Sequence, residues 1–501
     1  MLGVTCSHKY YIKSVLDGLA DLAQERPDQI KEYHEAISKM LILDLDPLIR
    51  IMQPLYPPIG RMAEKQVEIY RSLILMKHLK IPLNNWVEIL SNNPVLCLIS
   101  GFNPDNIPKT SSFYDLINRF FPLKETPVIR PVEFKPKDKL KKGEKLPPKN
   151  PGIVDKLVDF IFYDSKRFYR RLSHRPERFL QRVFARVSVD RSVELGIVPR
   201  DVSASGDGTC IETGASSYGK KVCKCIENGI FRCTCDRKYS DPNANWGWDS
   251  HNERFFYGHT GYFIATHNKV LKTDLPLYLR LVQANRHDSV STIFALFEFR
   301  ELYPNLRLDT FISDSASDNY ATYDLLDFWR VNAVIALNEK NKGNYTYPPA
   351  LRIDENGVPI CPANRPMVYR RECPGRCRIK WRCSRVTKGA PFCDACSNCS
   401  SSAYGRVIYT KPDWDLRLFT QIPRGSVEWK EKMKLRTASE RVNDRILNDY
   451  KIEGAPTRGK KRIFFNIMLA AINMHLDAQL KFLTANNKFN LDELLHMELA
   501  A

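Results

Sequence analysis

Ser203-Ala-Ser-Gly-Asp-Gly-Thr-Cys-Ile-Glu-Thr213 and Leu308-Asp-Thr-Phe-Ile-Ser-Asp-Ser-Ala316 decide how this chain is read. In the first, Val202 and Ile211 lend strand character around an aspartate set between Gly206 and Gly208, which leave open space beside the carboxylate. In the second, a buried strand runs into Ser313-Asp314-Ser315-Ala316 at its carboxyl end, where ligands of open α/β sheets bind. Working outward, Phe255–Thr266, Leu277–Gln283 and Ala333–Leu337 read as further strands. Val290–Leu302, Tyr320–Arg330 and, after a long interruption, Glu428–Tyr450 read as helices. Three strands, then helix, strand, helix and strand, predict a mixed sheet flanked by helices. Asp318 lies close to Asp314 but is assigned a structural role, capping a helix that begins near Asn319.

That element order is the one expected of an RNase H-like fold, placed here in residues 201–485. Residues 1–125 read as an all-α domain. Leu73, Leu75, Met76 and Leu79 recur among polar positions, and Thr110–Ser112 supply hydroxyls to cap a helix over Phe113–Phe121. Residues 126–151 form a linker in which Lys135, Lys137, Lys139, Lys141, Lys142, Lys145 and Lys149 alternate with prolines; it is either a spacer or a segment lying along phosphates. Residues 152–200 mix Phe160, Phe162, Tyr163, Phe168 and Tyr169 with Arg167, Arg170, Arg171, Arg175, Arg178, Arg182 and Arg186. The arginines suit phosphates, and the aromatics either anchor a helix or stack on bases.

The 501 residues carry 76 Lys and Arg against 57 Asp and Glu, a net charge of +19. Such an excess favours a polyanionic partner, since each phosphate contact releases condensed counterions. Hydrophobic residues at 43% and charged residues at 27% exclude a disordered chain. The N-terminal stretch has no secretory pattern, and the apolar run Ile463–Ile472 is too short to span a bilayer. A cytoplasmic, nucleoid-associated protein without membrane contact is expected, so the 14 cysteines are read as thiols or metal ligands rather than disulfides.

Cys223, Cys225, Cys233 and Cys235 form two Cys-x-Cys pairs seven residues apart, with Gly229 between them to turn a hairpin. Four thiolates suit tetrahedral Zn2+. A second group, Cys361, Cys373, Cys377, Cys383, Cys393, Cys396 and Cys399, lies among arginines. Within it Cys373, Cys377, Cys393 and Cys396 are a candidate second zinc set, with ordinary reduced cysteines as the alternative. The two Cys-rich insertions span about 218–250 and 340–410.

Five phrases in order resemble the catalytic core of bacterial insertion-sequence transposases of the DDE type. They are Gly206-Asp-Gly-Thr209, Tyr257-Gly-His-Thr-Gly-Tyr262, Ala284-Asn-Arg-His-Asp-Ser289, Ser313-Asp-Ser-Ala316, and Arg436 with Glu440. Arg71–Phe121 also resembles the helical domain that precedes this core in many of them. The resemblance implies that Asp207, Asp314 and Glu440 hold Mg2+ or Mn2+ and act together in cleaving and joining phosphodiester bonds. It implies that Arg436 touches phosphate near the cut, and that the partners are the terminal inverted repeats of an element and its target DNA. A homodimer on double-stranded DNA is expected, because two ends must be cut in concert. Many relatives carry a tyrosine three residues before the arginine and a lysine seven after the glutamate; here those positions are Met433 and Leu447, and Lys451 or Arg445 is the candidate substitute. Asn285 and Asp288 are expected to shape the strand-to-helix turn rather than catalyse. Two alternatives stand beside the transposase: a nuclease of the same fold that hydrolyses without joining, and an inactive descendant that only binds DNA.

Overall fold

The computed structural model describes residues 1–3, 5–121, 129–130, 150–173, 175, 177–339, 347–383, 399–400, 402, 405–454 and 457–500. Most of the Lys-Pro linker, and Cys393 and Cys396 of the second cysteine group, lie outside them.

The N-terminal part is built of helices α1 (His8–Glu25), α2 (Pro27–Glu32), α3 (His34–Ile42), α4 (Asp46–Met52), α5 (Gln66–His78), α6 (Leu83–Asn92), α7 (Pro94–Ser100) and α8 (Thr110–Arg119). Local chemistry sets several ends. The Ser7 hydroxyl accepts from the Tyr10 amide at the start of α1, and the Asn93 side chain from Leu96 at the start of α7. Gly101, at φ +88°, ends α7 in the left-handed conformation that glycine adopts without strain. The hydroxyl cap expected at Thr110–Ser112 does not form: α8 starts from Lys109 with no side-chain cap, and Thr110 is already inside the helix. Trp86, fully buried, donates its indole N–H to Ser72.

A two-residue strand β1 (Ile129–Arg130) precedes the basic helix α9 (Ile153–Ser173), which breaks at Asp164. For Phe168 the choice between anchoring and base stacking falls on anchoring, since its ring packs on Phe297 at 4.8 Å and on Phe294 at 5.6 Å. After α10 (Arg178–Phe184), a π-helical turn at Ala185–Val189 and α11 (Asp190–Glu194), the chain enters the sheet.

The central strands are β2 (Asp201–Glu212), β5 (Asn245–Asp249), β6 (Arg254–Asn268), β7 (Thr273–Gln283), β8 (Arg307–Ser313) and β9 (Asn332–Ile335). Their order is β5-β6-β2-β8-β9, with β7 also pairing with β6. β2 and β7 are antiparallel to β6, whereas β8 runs parallel to β2, and β9 to β8. This is the mixed sheet expected, with β5 as an added strand. Between β2 and β5 an arm leaves the sheet, its strands β3 (Lys220–Lys221) and β4 (Arg237–Lys238) joining β1 in a small sheet. Helices α12 (Asp288–Leu302) and α13 (Tyr320–Phe328) follow β7 and β8.

The second insertion forms β10 (Val368–Cys373), β11 (Arg378–Arg382) and β12 (Val407–Thr410) around a small core of Val358, Cys361, Met367, Ile379 and Trp381. The helix expected over Glu428–Tyr450 is divided into α14 (Val427–Lys434), α15 (Thr437–Asp444) and a π-helical turn at Arg445–Asp449. Then come α16 (Lys460–Ala485) and α17 (Leu491–Ala500). By length and composition α16 could cross a membrane, yet 83% of its apolar window is buried inside the protein. It lies between α5 and β7, where Asn473 donates to the Ile74 carbonyl and the His475 ring meets the Pro276 carbonyl. One hydrophobic core therefore runs from Tyr11 through the sheet to Leu495.

Candidate active site

β2 pairs with β8 only as far as Ser205 opposite Ile312. Beyond that point the two strands part, and the edge of β2 carrying Asp207 opens beside the end of β8, where Asp314 stands. Asp314 is held by the turn it starts: its Oδ1 accepts from the Ala316 amide at 3.0 Å. Asp207 lies opposite Phe263 of β6, and its Oδ2 accepts from Asn443 Nδ2 of α15 at 3.1 Å. The same helix is fixed over the sheet where the Ser439 amide donates to Ser205 Oγ at 3.1 Å. Glu440 thus reaches the site from α15, and its Oε1 is paired with Arg436 at 2.6 Å.

From the opposite face of the sheet comes Asp288, the first residue of α12. Its carboxylate lies directly over Gly208, so that any Cβ there would collide with it. Gly208 is needed for this close approach. Asp288 does open the helix after the strand, as expected, but it also stands among the acidic side chains. Burial, followed by the charges of Asp288, Asp314 and Glu440, pushes the Asp207 carboxyl up to about 7. Burial and Asp314 push Asp288 up to about 6, against a smaller opposing pull from His287. Asp207 therefore feels the charge of three other carboxylates, each carried by a separate element.

Asp318 is structural, though not as a cap. Asn319 caps α13, while Asp318 takes both nitrogens of a two-pronged Arg417 contact at 2.7–3.0 Å and the Asn338 amide at 2.7 Å. The aspartate four residues past Asp314 is thus held by an arginine 99 residues away, which no local pattern shows.

The carboxylate oxygens of this site do not all lie within 4.8 Å of one another; among the described residues only the thiols of Cys223, Cys225, Cys233 and Cys235 meet that limit. Cys223 and Cys233 Sγ are 3.6 Å apart, and Cys225 and Cys235 Sγ 3.5 Å. A sulfur tetrahedron with Zn–S of about 2.3 Å has edges of about 3.8 Å, so the cage fits Zn2+. The Cys225 amide, foremost, holds the Cys223 thiol down to about 7, toward the thiolate a metal needs. The second cysteine group differs: Cys361 and Cys383 are buried, Cys361 within an apolar cluster, and Cys373 and Cys377 flank the β10–β11 turn. Their expected companions Cys393 and Cys396 are outside the described residues.

The expected DNA contacts are dispersed. Arg445 donates to Asp477 at 2.9 Å and lies 3.7 Å from Asp449, so its guanidinium is already engaged. Lys451 borders a cavity of about 640 Å³ between the helical part and α16, together with Lys77, Lys80, Arg458 and Arg462. That cavity is lined by none of the four clustered carboxylates.

No protein-family model matches the chain, and no curated protein matches it. Among solved structures, the crystal structure of the Mos1 strand transfer complex is similar at 13% identity over 55% of this chain and 78% of that chain. Its TM-score is 0.15, too low for the likeness to carry an argument.

Two site features escaped the sequence. Asp288 looked like a turn residue because its approach to Gly208 depends on which face α12 covers. Asp241, fully buried, roots the arm by accepting from Thr213 Oγ1 and the Gly459 amide and pairing with His259 at 3.0 Å. The Tyr257–Tyr262 phrase supplies that histidine.

Proposed function

We propose that this protein is a DNA transposase of the DDE type, which cuts at the ends of a mobile element and joins the freed 3′ hydroxyls to target DNA. The reading rests on one observation above all: Asp207 of β2 lies where β2 and β8 part, within reach of the charges of Asp314 at the end of β8 and Glu440 on α15. Crowded carboxylates that are only partly compensated, here by Arg436 beside Glu440, repel one another, and such clusters mark places where charge is used. An all-oxygen donor set of this kind fits Mg2+ or Mn2+. Bound divalent cations supply the Lewis acidity that makes an attacking oxygen nucleophilic and balances charge on the departing one.

The chain's own residues do the placing. Asp314 is fixed by its turn and Asp207 by the strand ladder and Asn443. Glu440 sits on a helix tied to the sheet at Ser205 and arrives with Arg436 alongside. Arg436 offsets the charge of Glu440 and brings a guanidinium to the place where a phosphate would lie. The basic surface of a chain at +19 provides the sequence-independent part of DNA affinity.

A supercoiled plasmid target with an oligonucleotide carrying the element end separates the readings. A transposase yields joined products in Mg2+ or Mn2+, whereas products that are only nicked or linear would favour the nuclease alternative. Asp314→Ala should abolish both cleavage and joining and leave end binding within about threefold, since a metal ligand does not set the DNA register. Normal cleavage by that variant would remove Asp314 from the site.

A further inference from the structure

We propose that Trp246, Trp248 and Phe255 form a stacking platform for an unpaired DNA strand running to or from the acidic site. Strand β5 presents Trp246 and Trp248 on one side, while Gly247 and Asp249 between and beyond them are buried. Trp246 stands opposite Tyr257, and Trp248 opposite Phe255. The rings pair across the ladder, Trp248 with Phe255 at 4.9 Å between centroids and Trp246 with Tyr257 at 5.6 Å. Yet Trp246 is 49% exposed, Trp248 53% and Phe255 68%, an unusual concession of apolar surface on adjacent rungs.

The register says which way this surface faces. Phe255, Tyr257 and Phe263 alternate onto one face of β6, and Phe263 is the partner of Asp207. The aromatic rungs therefore share the face of Asp207 and of the helix bearing Glu440. They lie six and eight residues farther along β6, roughly 20–26 Å at about 3.3 Å per residue. At this same end of the sheet the four-cysteine arm is rooted through Asp241. The arm carries Lys220, Lys221, Lys224, Arg232, Arg237 and Lys238 against Glu227 and Asp236.

An exposed aromatic row beside a basic arm suits single-stranded nucleic acid. Duplex DNA hides its base faces by stacking, whereas an unpaired strand offers them to flat side chains while its phosphates meet cations. The assignment rests on the DNA-processing reading above and extends it to a strand-separated substrate.

The test uses the full-length protein and fluorescence anisotropy with a labelled 20-nucleotide oligo(dT) and a 20-base-pair duplex. Trp246→Ala/Trp248→Ala should weaken oligo(dT) binding at least tenfold and duplex binding less than about threefold. Trp246→Phe/Trp248→Phe should retain most of the oligo(dT) affinity, which separates stacking from a folding defect. The proposal is overturned if wild-type protein does not bind oligo(dT), if the alanine pair binds it normally, or if both DNAs are lost equally. It is also overturned if the alanine pair keeps oligo(dT) affinity but loses self-association by light scattering, since the platform would then bind a second copy. Failure of the transposase reading shows differently: wild-type protein would bind oligo(dT) yet leave element-end DNA uncut.

Discussion

Asp314 and Asp318, one turn apart, have opposite duties, and their substitution should show it. Asp318 is fully enclosed with Arg417, whose side chain is equally buried. Removing one partner of a buried ion pair strands the other, at a cost of roughly 3–5 kcal/mol. Asp318→Ala is therefore expected to lower the midpoint of denaturant unfolding steeply, while Asp314→Ala leaves it unchanged or raises it and removes activity. Equal midpoints for the two variants would contradict this division. Asp207 makes a second prediction. Its carboxyl, about 3.8 when unfolded, is raised to about 7 in the fold, so the folded state holds the proton more tightly. The contribution to stability is then full below pH about 4 and is lost as pH rises through 7. Asp288, raised to about 6, acts in the same direction. With divalent cations chelated, melting temperature should fall between pH 5 and pH 8. Asp207→Asn should flatten that slope and be roughly 1–2 kcal/mol more stable than wild type at pH 8, allowing for partial solvent screening where β2 and β8 part.

At the scale of elements, the strands were legible where alternation or apolar runs were strong. β2, β6, β7 and β8 lie within a few residues of their expected places; Asp314 follows the end of β8 as read, whereas Asp207 lies within β2, paired with Phe263. β5 was missed, because Asn245-Trp-Gly-Trp-Asp249 leaves its bulky residues in solvent and so lacks the core-facing pattern that marks a strand. Glu440 was legible only through resemblance; its ion pair with Arg436 is what any surface helix would show. The four-cysteine arm was legible from spacing, and its geometry yields a third prediction. Cys225→Ser should lower bound zinc by one per chain relative to wild type by elemental analysis and expose residues 214–240 to limited proteolysis. Because Asp241 anchors the arm's root independently of the thiols, far-ultraviolet circular dichroism should change little. Zinc retention by the variant would show that the four sulfurs are not the ligands.

Across the whole molecule, the division into an N-terminal helical part and the sheet that carries Asp207 describes the sequence better than it describes the energetics. Helix α16 is buried nearly all round, with α5 on one side and β7 on the other, and contributes to a single core that includes Leu19, Trp86, Phe263 and Leu469. Its polar side chains are spent on long-range contacts: His475 bonds Ser192 and the Pro276 carbonyl, Asn473 the Ile74 carbonyl, and Gln479 the Ser188 carbonyl. Burial holds the His475 ring down to about 4, so it stays neutral across the physiological range. Two bodies joined through such a helix cannot separate without exposing apolar area on both, at about 25 cal/mol for each Å². The helical part and the sheet should therefore unfold in one calorimetric transition, and a fragment spanning residues 201–501 should bind hydrophobic dyes and lack a sharp melt. A second, independent transition, or a fragment that melts cooperatively, would mean that the sheet carries its own core and that the N-terminal helices are an appendage.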